Sequence, residues 1–201
     1  MNQPLSQDAL NQIFLEARTF ASNPNPWQDR AVSDAQLEQI WNLARMGPTA
    51  ANSSPARVVF VRTPEAKARL KPALDAGNVD KTMSAPVTAI IGTDLAFYEK
   101  LPYLFPHTDA RSWFAGKSEA ALFPGALRNS SLQGAYLIIA ARTLGLDCGP
   151  MGGFDAAQVD AEFFAGTAIK SSFLINLGYG RRDTLHPRSP RLAFADACTI
   201  V

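Results

Sequence analysis

The stretch GPTAANSSP at residues 47–55, continued by RVVFVR at 57–62, joins a helical pattern to a strand through a rigid polar bend. Two prolines fix the direction of the backbone, and the small polar residues between them leave hydrogen-bonding groups for a flat polar ligand. The valines and phenylalanine of 57–62 predict a strand. Upstream, Ser33 with Gln36 three residues on predicts a capped helix running through Leu37, Ile40, Trp41 and Ala44. Gly47-Pro48 ends it.

Outward from this junction the chain keeps mixing helix and strand without a regular βαβ rhythm, which predicts an α+β fold with a mostly antiparallel sheet. Leu5, Ala9, Ile13, Ala17 and Phe20 fall at helical spacing and predict a first helix over 6–21, stopped by Asn23-Pro24-Asn25-Pro26. Thr63-Pro64 opens a short helix. Residues 86–92 (PVTAIIG) and 172–178 (SFLINLG) read as buried strands. A long helix is expected over 126–144 with Gly145 as its C-cap, and Asp155 with Gln158 opens another that reaches 164. Residues 101–125 hold no period, which marks a lid-like segment. A tail over 181–201 includes a strand-like 192–194. The whole chain, 1–201, reads as one domain.

At 201 residues the chain is long enough to bury a full core, and 18% charged residues leave no sign of disorder. A net charge of +1 supplies no long-range field for nucleic acid or acidic lipid, so neither is an expected partner. Two cysteines, Cys148 and Cys198, make a poor disulfide scaffold and point to a reducing compartment. No basic and apolar leader precedes the first helical pattern, and no apolar run approaches the ~20 residues that cross a bilayer. The expected location is the cytoplasm.

Several chemistries are excluded. There is no G-x-x-x-x-G-K-[ST] and no H-E-x-x-H, and two isolated histidines with two distant cysteines make no metal set. Gly178-Tyr179-Gly180 follows a strand, but Asp183 stands where a dinucleotide fingerprint needs its third glycine. No G-x-S-x-G elbow offers a nucleophile to His107 or His186. What remains are loop residues suited to a flavin. The glycines of GPMGGF at 149–154 let a planar ring approach the backbone, with Gly152 and Gly153 offering N–H groups to its edge. The alternative is a left-handed turn before the next helix. Arg18, Arg188 and Arg191 are either phosphate ligands or solvated surface groups. Asn78 either presents its amide to the ring or is a turn residue. In the lid, Arg111 would meet a substrate carboxylate, with His107 and Trp113 as walls. Its alternative is an internal pair with Asp109 or Glu119. Cys148 reads as a buried structural thiol.

Residues 47–55, 105–114 (FPHTDARSWF), 128–136 (RNSSLQGAY), 145–155 (GLDCGPMGGFD) and 190–198 (PRLAFADAC) together resemble the FMN-dependent nitroreductase family. They look like its branch that reduces malonic semialdehyde to 3-hydroxypropionate in pyrimidine catabolism. The resemblance implies a three-layer α-β-α sandwich and an intertwined homodimer with FMN at the subunit interface. It maps the flavin-binding residues onto Arg18 and Thr19, onto Pro48, Thr49, Ala50 and Asn52 from the partner subunit, and onto Asn78. Pro150, Met151, Gly152 and Gly153 would lie along the ring, and Arg188 and Arg191 would take the phosphate. Hydride would pass from NAD(P)H through FMN to a small acceptor; a broad nitro- or quinone-reducing enzyme and a non-catalytic flavin-binding protein are the alternatives. The chain departs from the family in carrying Ser22 where a lysine is common, Ala50 where a serine is common, extra residues after Thr19, and SEAALFPG at 118–125.

Overall fold

Strand 87–94 is the most completely buried of the chain, and it lies in the middle of the sheet with water excluded from both faces. The computed structural model describes residues 3–22 and 24–201. Its helices are α1 (Gln7–Leu10), α2 (Asp34–Ala44), α3 (Pro64–Leu70), α4 (Val79–Met83), α5 (Leu101–Leu104), α6 (Glu119–Thr143), α7 (Ala156–Phe163) and α8 (Phe194–Ala197). The strands are β1 (Ala56–Val61), β2 (Val87–Asp94), β3 (Asp147–Met151) and β4 (Ile169–Gly178). Among the described residues they form one antiparallel sheet in the order β1-β2-β4-β3, so β1 and β3 are its two edges.

Alternation along the strands divides the core. Val87, Ala89 and Ile91 of β2, with Ile175 and Leu177 of β4, face α2 and α6. Ile90 and Leu174 face the other way, toward Leu70 of α3 and Val159 of α7. Helices on both faces of an antiparallel sheet make the expected α+β three-layer sandwich. The local stop and start signals hold as read. Ser33 and Gln36 form a reciprocal capping box, Thr63 caps α3 with Pro64 in its first turn, and Asp155 caps α7. Gly145 follows α6 with φ 77°, a conformation that favours glycine.

Four expectations are corrected. The first helix does not reach residue 21: α1 passes into a π-helical turn, Asn11–Leu15, and ends at Glu16. Ala17 and Phe20 keep helical spacing in sequence, but Thr19 bridges Cys148 in parallel and the Phe20 N–H donates to the Cys148 carbonyl at 3.1 Å. The Phe20 ring then packs 5.9 Å from Trp27. Second, residues 149–151 belong to strand β3 rather than to a loop. Third, α6 starts at Glu119, inside the segment expected to be aperiodic. Pro124 stands inside the helix, at its sixth position, where it gives the Ala120 carbonyl no N–H partner, and the helix nevertheless continues through it. The rest of 101–118 folds into α5 and a 3-10 turn at Ala110–Trp113 over a satellite core of Leu95, Phe97, Leu101, Ala110, Leu122 and Ala126. Fourth, 192–194 is not a strand; the tail carries the short helix α8, none of whose residues is buried. The expected Asn23 turn falls partly outside the described residues, as do Met1 and Asn2. Among the described residues no helix is long and apolar enough to cross a membrane.

The docking of segment 17–20 on β3 requires Gly149. A Cβ there would lie 2.6 Å from the Phe20 carbonyl oxygen, a backbone atom that cannot rotate away. Gly149→Ala is therefore expected to destabilise the fold by about 1–3 kcal/mol, read from the urea midpoint. An unchanged midpoint would mean that segment 17–20 is loosely held.

Candidate functional site

The carbonyls that end the first helix have no intrahelical acceptor role left, and arginines from distant segments cover them. Arg142 donates to the Ile13 carbonyl at 3.1 Å, Arg182 to Glu16 at 3.4 Å, and Arg188 to Leu15 at 2.7 Å and Ala17 at 3.0 Å. Cations suit the negative end of a helix. These contacts draw the C-terminal tail against segment 17–22, where Arg18 donates to the His186 carbonyl and Ser22 to the Thr184 carbonyl. Between them lies a cleft of ≈ 250 Å³ lined by Arg18, Thr19, Ser22, His186, Arg188 and Arg191. No carboxylate lines it among the described residues. Each guanidinium carries five N–H donors, and among the described residues Arg18 uses one nitrogen on the protein, Arg188 one and Arg191 one. The cleft is cationic and retains donors for an anion.

Because Thr19 bridges Cys148, this cleft lies on the β3 edge of the sheet. Asn78, at the start of α4, donates through Nδ2 to the Gly153 carbonyl at 2.7 Å, and the Asp75 N–H donates to the same oxygen at 3.2 Å. A Cβ at Gly153 would meet the Asn78 and Asp75 side chains at 2.5 and 2.7 Å. Gly152 differs: it is exposed, has no neighbour within 4 Å of where a Cβ would stand, and its φ is not left-handed. The left-handed turn weighed for Gly152 and Gly153 is absent, and neither backbone conformation nor packing calls for glycine at 152. Pro150 and Met151 are held in β3, and the Met151 sulfur accepts from the Thr82 hydroxyl at 3.5 Å.

Two lysines near this edge escaped the sequence reading. Lys81 follows Asn78 by three residues, one helical turn, and its ammonium has no hydrogen-bond or ion-pair partner among the described residues. Partial burial pulls its pKa down. The Asn-x-x-Lys spacing at a helix start was the signal that would have found it. Lys67 of α3 is buried, 4% exposed, and donates to the carbonyls of Thr82 and Ala85 at the far end of α4. It has no carboxylate partner among the described residues, and burial pushes its ammonium down to about 8. The Lys81 carbonyl accepts from the Trp27 indole at 2.9 Å and from Asn176 at 3.2 Å. Three side chains thus cap a helix of five residues that would not hold its shape alone.

The prolyl bend lies elsewhere. Ala51, Asn52 and Ser54 have φ of 51°, 48° and 41°, a left-handed backbone that costs roughly 1–2 kcal/mol at each non-glycine residue. Ala50 gives its N–H to Asn129 at 2.8 Å, Thr49 accepts from the Ser54 N–H at 3.1 Å, and Asn52 donates to the Leu104 carbonyl at 2.8 Å. Pro48 and its neighbours precede β1, and the glycines follow β3, on opposite edges of the sheet. Three strand spacings, about 14 Å, separate those edges. One chain does not bring the two loops together.

In the lid segment Arg111 pairs with neither Asp109 nor Glu119. Its fork meets Glu99 in two bonds of 2.8 Å, which draws the Glu99 pKa down and the Arg111 pKa up. His107 and Trp113 stand against the Phe105 ring, at centroid distances of 5.1 and 6.1 Å, and both are exposed. Cys148 is buried, its thiol pushed up to about 12 by burial, so it is inert as a nucleophile.

Fold and cleft define an α+β sandwich with a cationic pocket beside one edge of its sheet and a strained polar loop at the other. A sequence model of the nitroreductase family matches residues 26–179, and the chain belongs to that family. It is 64% identical over 196 residues to a Burkholderia lata protein named as a presumed NADH dehydrogenase/NAD(P)H nitroreductase, with 98% of each chain covered. A Stenotrophomonas maltophilia protein of the same name is 60% identical over the full length of both. Among solved structures, a presumed nitroreductase of Exiguobacterium sibiricum in complex with FMN superposes with a TM-score of 0.84 at 21% identity, covering 100% of both chains. The architecture is the nitroreductase-like fold.

The Lys67 ammonium makes stability depend on pH in a definite direction. Its folded pKa of about 8 lies below the ordinary 10.5, so the unfolded chain binds the extra proton between those values and stability rises with pH there. Relative to Lys67→Met, the wild type is expected to gain about 2 kcal/mol between pH 7.5 and 9.5 in urea unfolding. A difference that stays flat or shrinks would show that this amine does not titrate in that window.

Proposed function

We propose that the protein is an FMN-dependent NAD(P)H oxidoreductase that works as a homodimer and accepts a broad range of small electron acceptors. The observation that carries this reading is Gly152. Gly77 and Gly125 likewise need glycine neither for a left-handed φ nor for a neighbour, but of the three only Gly152 directly follows an edge strand, where a flat ring would lie against the backbone. The cationic cleft on the same edge of the sheet suits a phosphate: Arg18, Arg188 and Arg191 would hold it, with Thr19 and Ser22 hydroxyls at its rim. Asn78 and Lys81 would face the polar edge of the ring, Lys81 serving where the family lysine is replaced by Ser22. When bound, FMN supplies hydride transfer between NAD(P)H and an acceptor. The chain's own residues then bind, orient and keep water from the ring.

The dimer is supported by the division of the site. Pro48, Thr49, Ala50 and Asn52 lie at the opposite edge from Gly152, so a second copy would bring its bend to the first copy's ring. Leu192, Phe194, Ile200 and Val201 of the tail, and Leu43, Met46, Leu132 and Tyr136 along α2 and α6, are exposed apolar groups that a second copy would cover. Two unpaired cysteines accord with the reducing cytoplasm.

For the acceptor, the lid favours breadth. Reduction of malonic semialdehyde, the narrower reading, is favoured by the five matched sequence stretches and needs a cation for the substrate carboxylate. Arg111 is already engaged by Glu99, while His107, Phe105 and Trp113 offer an aromatic face. Purified protein is expected to be yellow and to bleach under anaerobic NADH or NADPH, with a nitroaromatic turned over at least as well as malonic semialdehyde. Arg111→Ala should alter both turnovers alike; a rise in KM confined to the carboxylated aldehyde would favour the narrower activity. Gly152→Ala should keep the urea midpoint within about 0.5 kcal/mol yet weaken FMN binding about tenfold or more. Equal FMN affinity in that variant would remove the main support for the site.

A further inference from the structure

Helix α6 carries the stretch RNSSLQGAY at 128–136, and three of its residues, Asn129, Gln133 and Tyr136, touch the prolyl bend or its flanks. The Asn129 Oδ1 accepts the Ala50 N–H at 2.8 Å where the bend begins, and the Gln133 Oε1 accepts the Ala56 N–H at 2.8 Å where it ends. Tyr136 closes over Gly47; a Cβ there would stand 2.7 Å from the ring. Asn129, Gln133 and Tyr136 are spaced four and three residues apart, one face of a helix. On the neighbouring face the Ser130 hydroxyl bonds that of Thr93 at 2.6 Å, and Gly134 lets the Phe173 ring lie against the helix.

We infer that Asn129 and Gln133 are positioning residues that clamp the left-handed bend at both ends and so set the geometry of its cofactor contact. Ala51, Asn52 and Ser54 hold positive φ without being glycine, a conformation that relaxes unless its surroundings impose it. The two amide acceptors impose it at the ends, and Thr49 and Asn52 brace the middle. Gln133 is 2% exposed, and its Nε2 has no partner among the described residues. A buried donor left unmatched opposes folding, so its carbonyl oxygen is the part this position uses. The inference rests on the proposed FMN site, since the bend matters to function only if it meets the ring.

The test compares Asn129→Leu and Gln133→Leu, which remove the acceptors at similar volume, with Asn129→Asp and Gln133→Glu, which keep them. Backbone amide hydrogen exchange at 50–56 and the Kd for FMN are measured on each folded protein at low temperature. The leucine variants are expected to lose protection at Ala50 or Ala56 and to bind FMN about tenfold more weakly. The acidic variants should restore both readouts to within about twofold. Leucine variants with unchanged exchange, or with wild-type FMN affinity, would overturn the clamp. Wild-type protein that binds no FMN would instead sink the cofactor reading, and the exchange data would then decide the clamp alone.

Discussion

The backbone contact of segment 17–20 with β3 is the constraint from which the candidate site follows. Once Phe20 pairs with Cys148 over Gly149, the chain before it must leave its helix at Glu16. The carbonyls exposed by that exit attract Arg182 and Arg188, and those arginines bring the C-terminal tail across segment 17–22. A cationic cleft is then formed on the β3 edge of the sheet. The π-helical turn at the exit fits this account, since such turns are common where a helix is adapted to a site. Aromatic packing of Phe20, Trp27 and the close-fitting Gly180 fixes the arrangement from below.

The two loops divide function and strain differently. The β3 side is relaxed: Gly152 and Gly153 lie in ordinary backbone, and α4 is fastened by Lys67, Trp27 and Asn176. The prolyl side stores strain in three left-handed residues and holds it with a helix face. A buried lysine with no carboxylate partner among the described residues is an unusual fastening, since it opposes folding while it remains charged. Its place under the helix that carries Asn78 and Lys81 makes the cationic edge of the site rest on a second, hidden cation.

Local signals in the sequence were legible because their partners are near in the chain. Ser33 with Gln36, Thr63 with Pro64, and Asp155 with Gln158 bond within a single turn, so residue type and spacing determine them. The central strands were legible from their short apolar runs, PVTAIIG and SFLINLG. The end of the first helix was not, because Ala17 and Phe20 preserve the helical period while being buried against β3. The start of α6 was hidden by Pro124-Gly125, and β3 by a composition of glycine and proline that resembles a loop. In the site, Asn78 and the glycine pair could be named by residue type, although the left-handed turn weighed for the glycines is absent, and Arg111 was read without Glu99, twelve residues before it. Lys67, Asn129 and Gln133 owe their roles to tertiary neighbours, and nothing in their immediate sequence discloses that.

The placement of the bend and the glycine pair on opposite margins of one sheet has a consequence for how the protein matures. Under the dimeric reading, a newly made chain can complete its core and every strand while owning only mismatched halves of two pockets. Folding and pigmentation become successive events, the first governed by sequence and the second by abundance. At low copy number such chains would persist as well-formed, colourless singles awaiting an encounter.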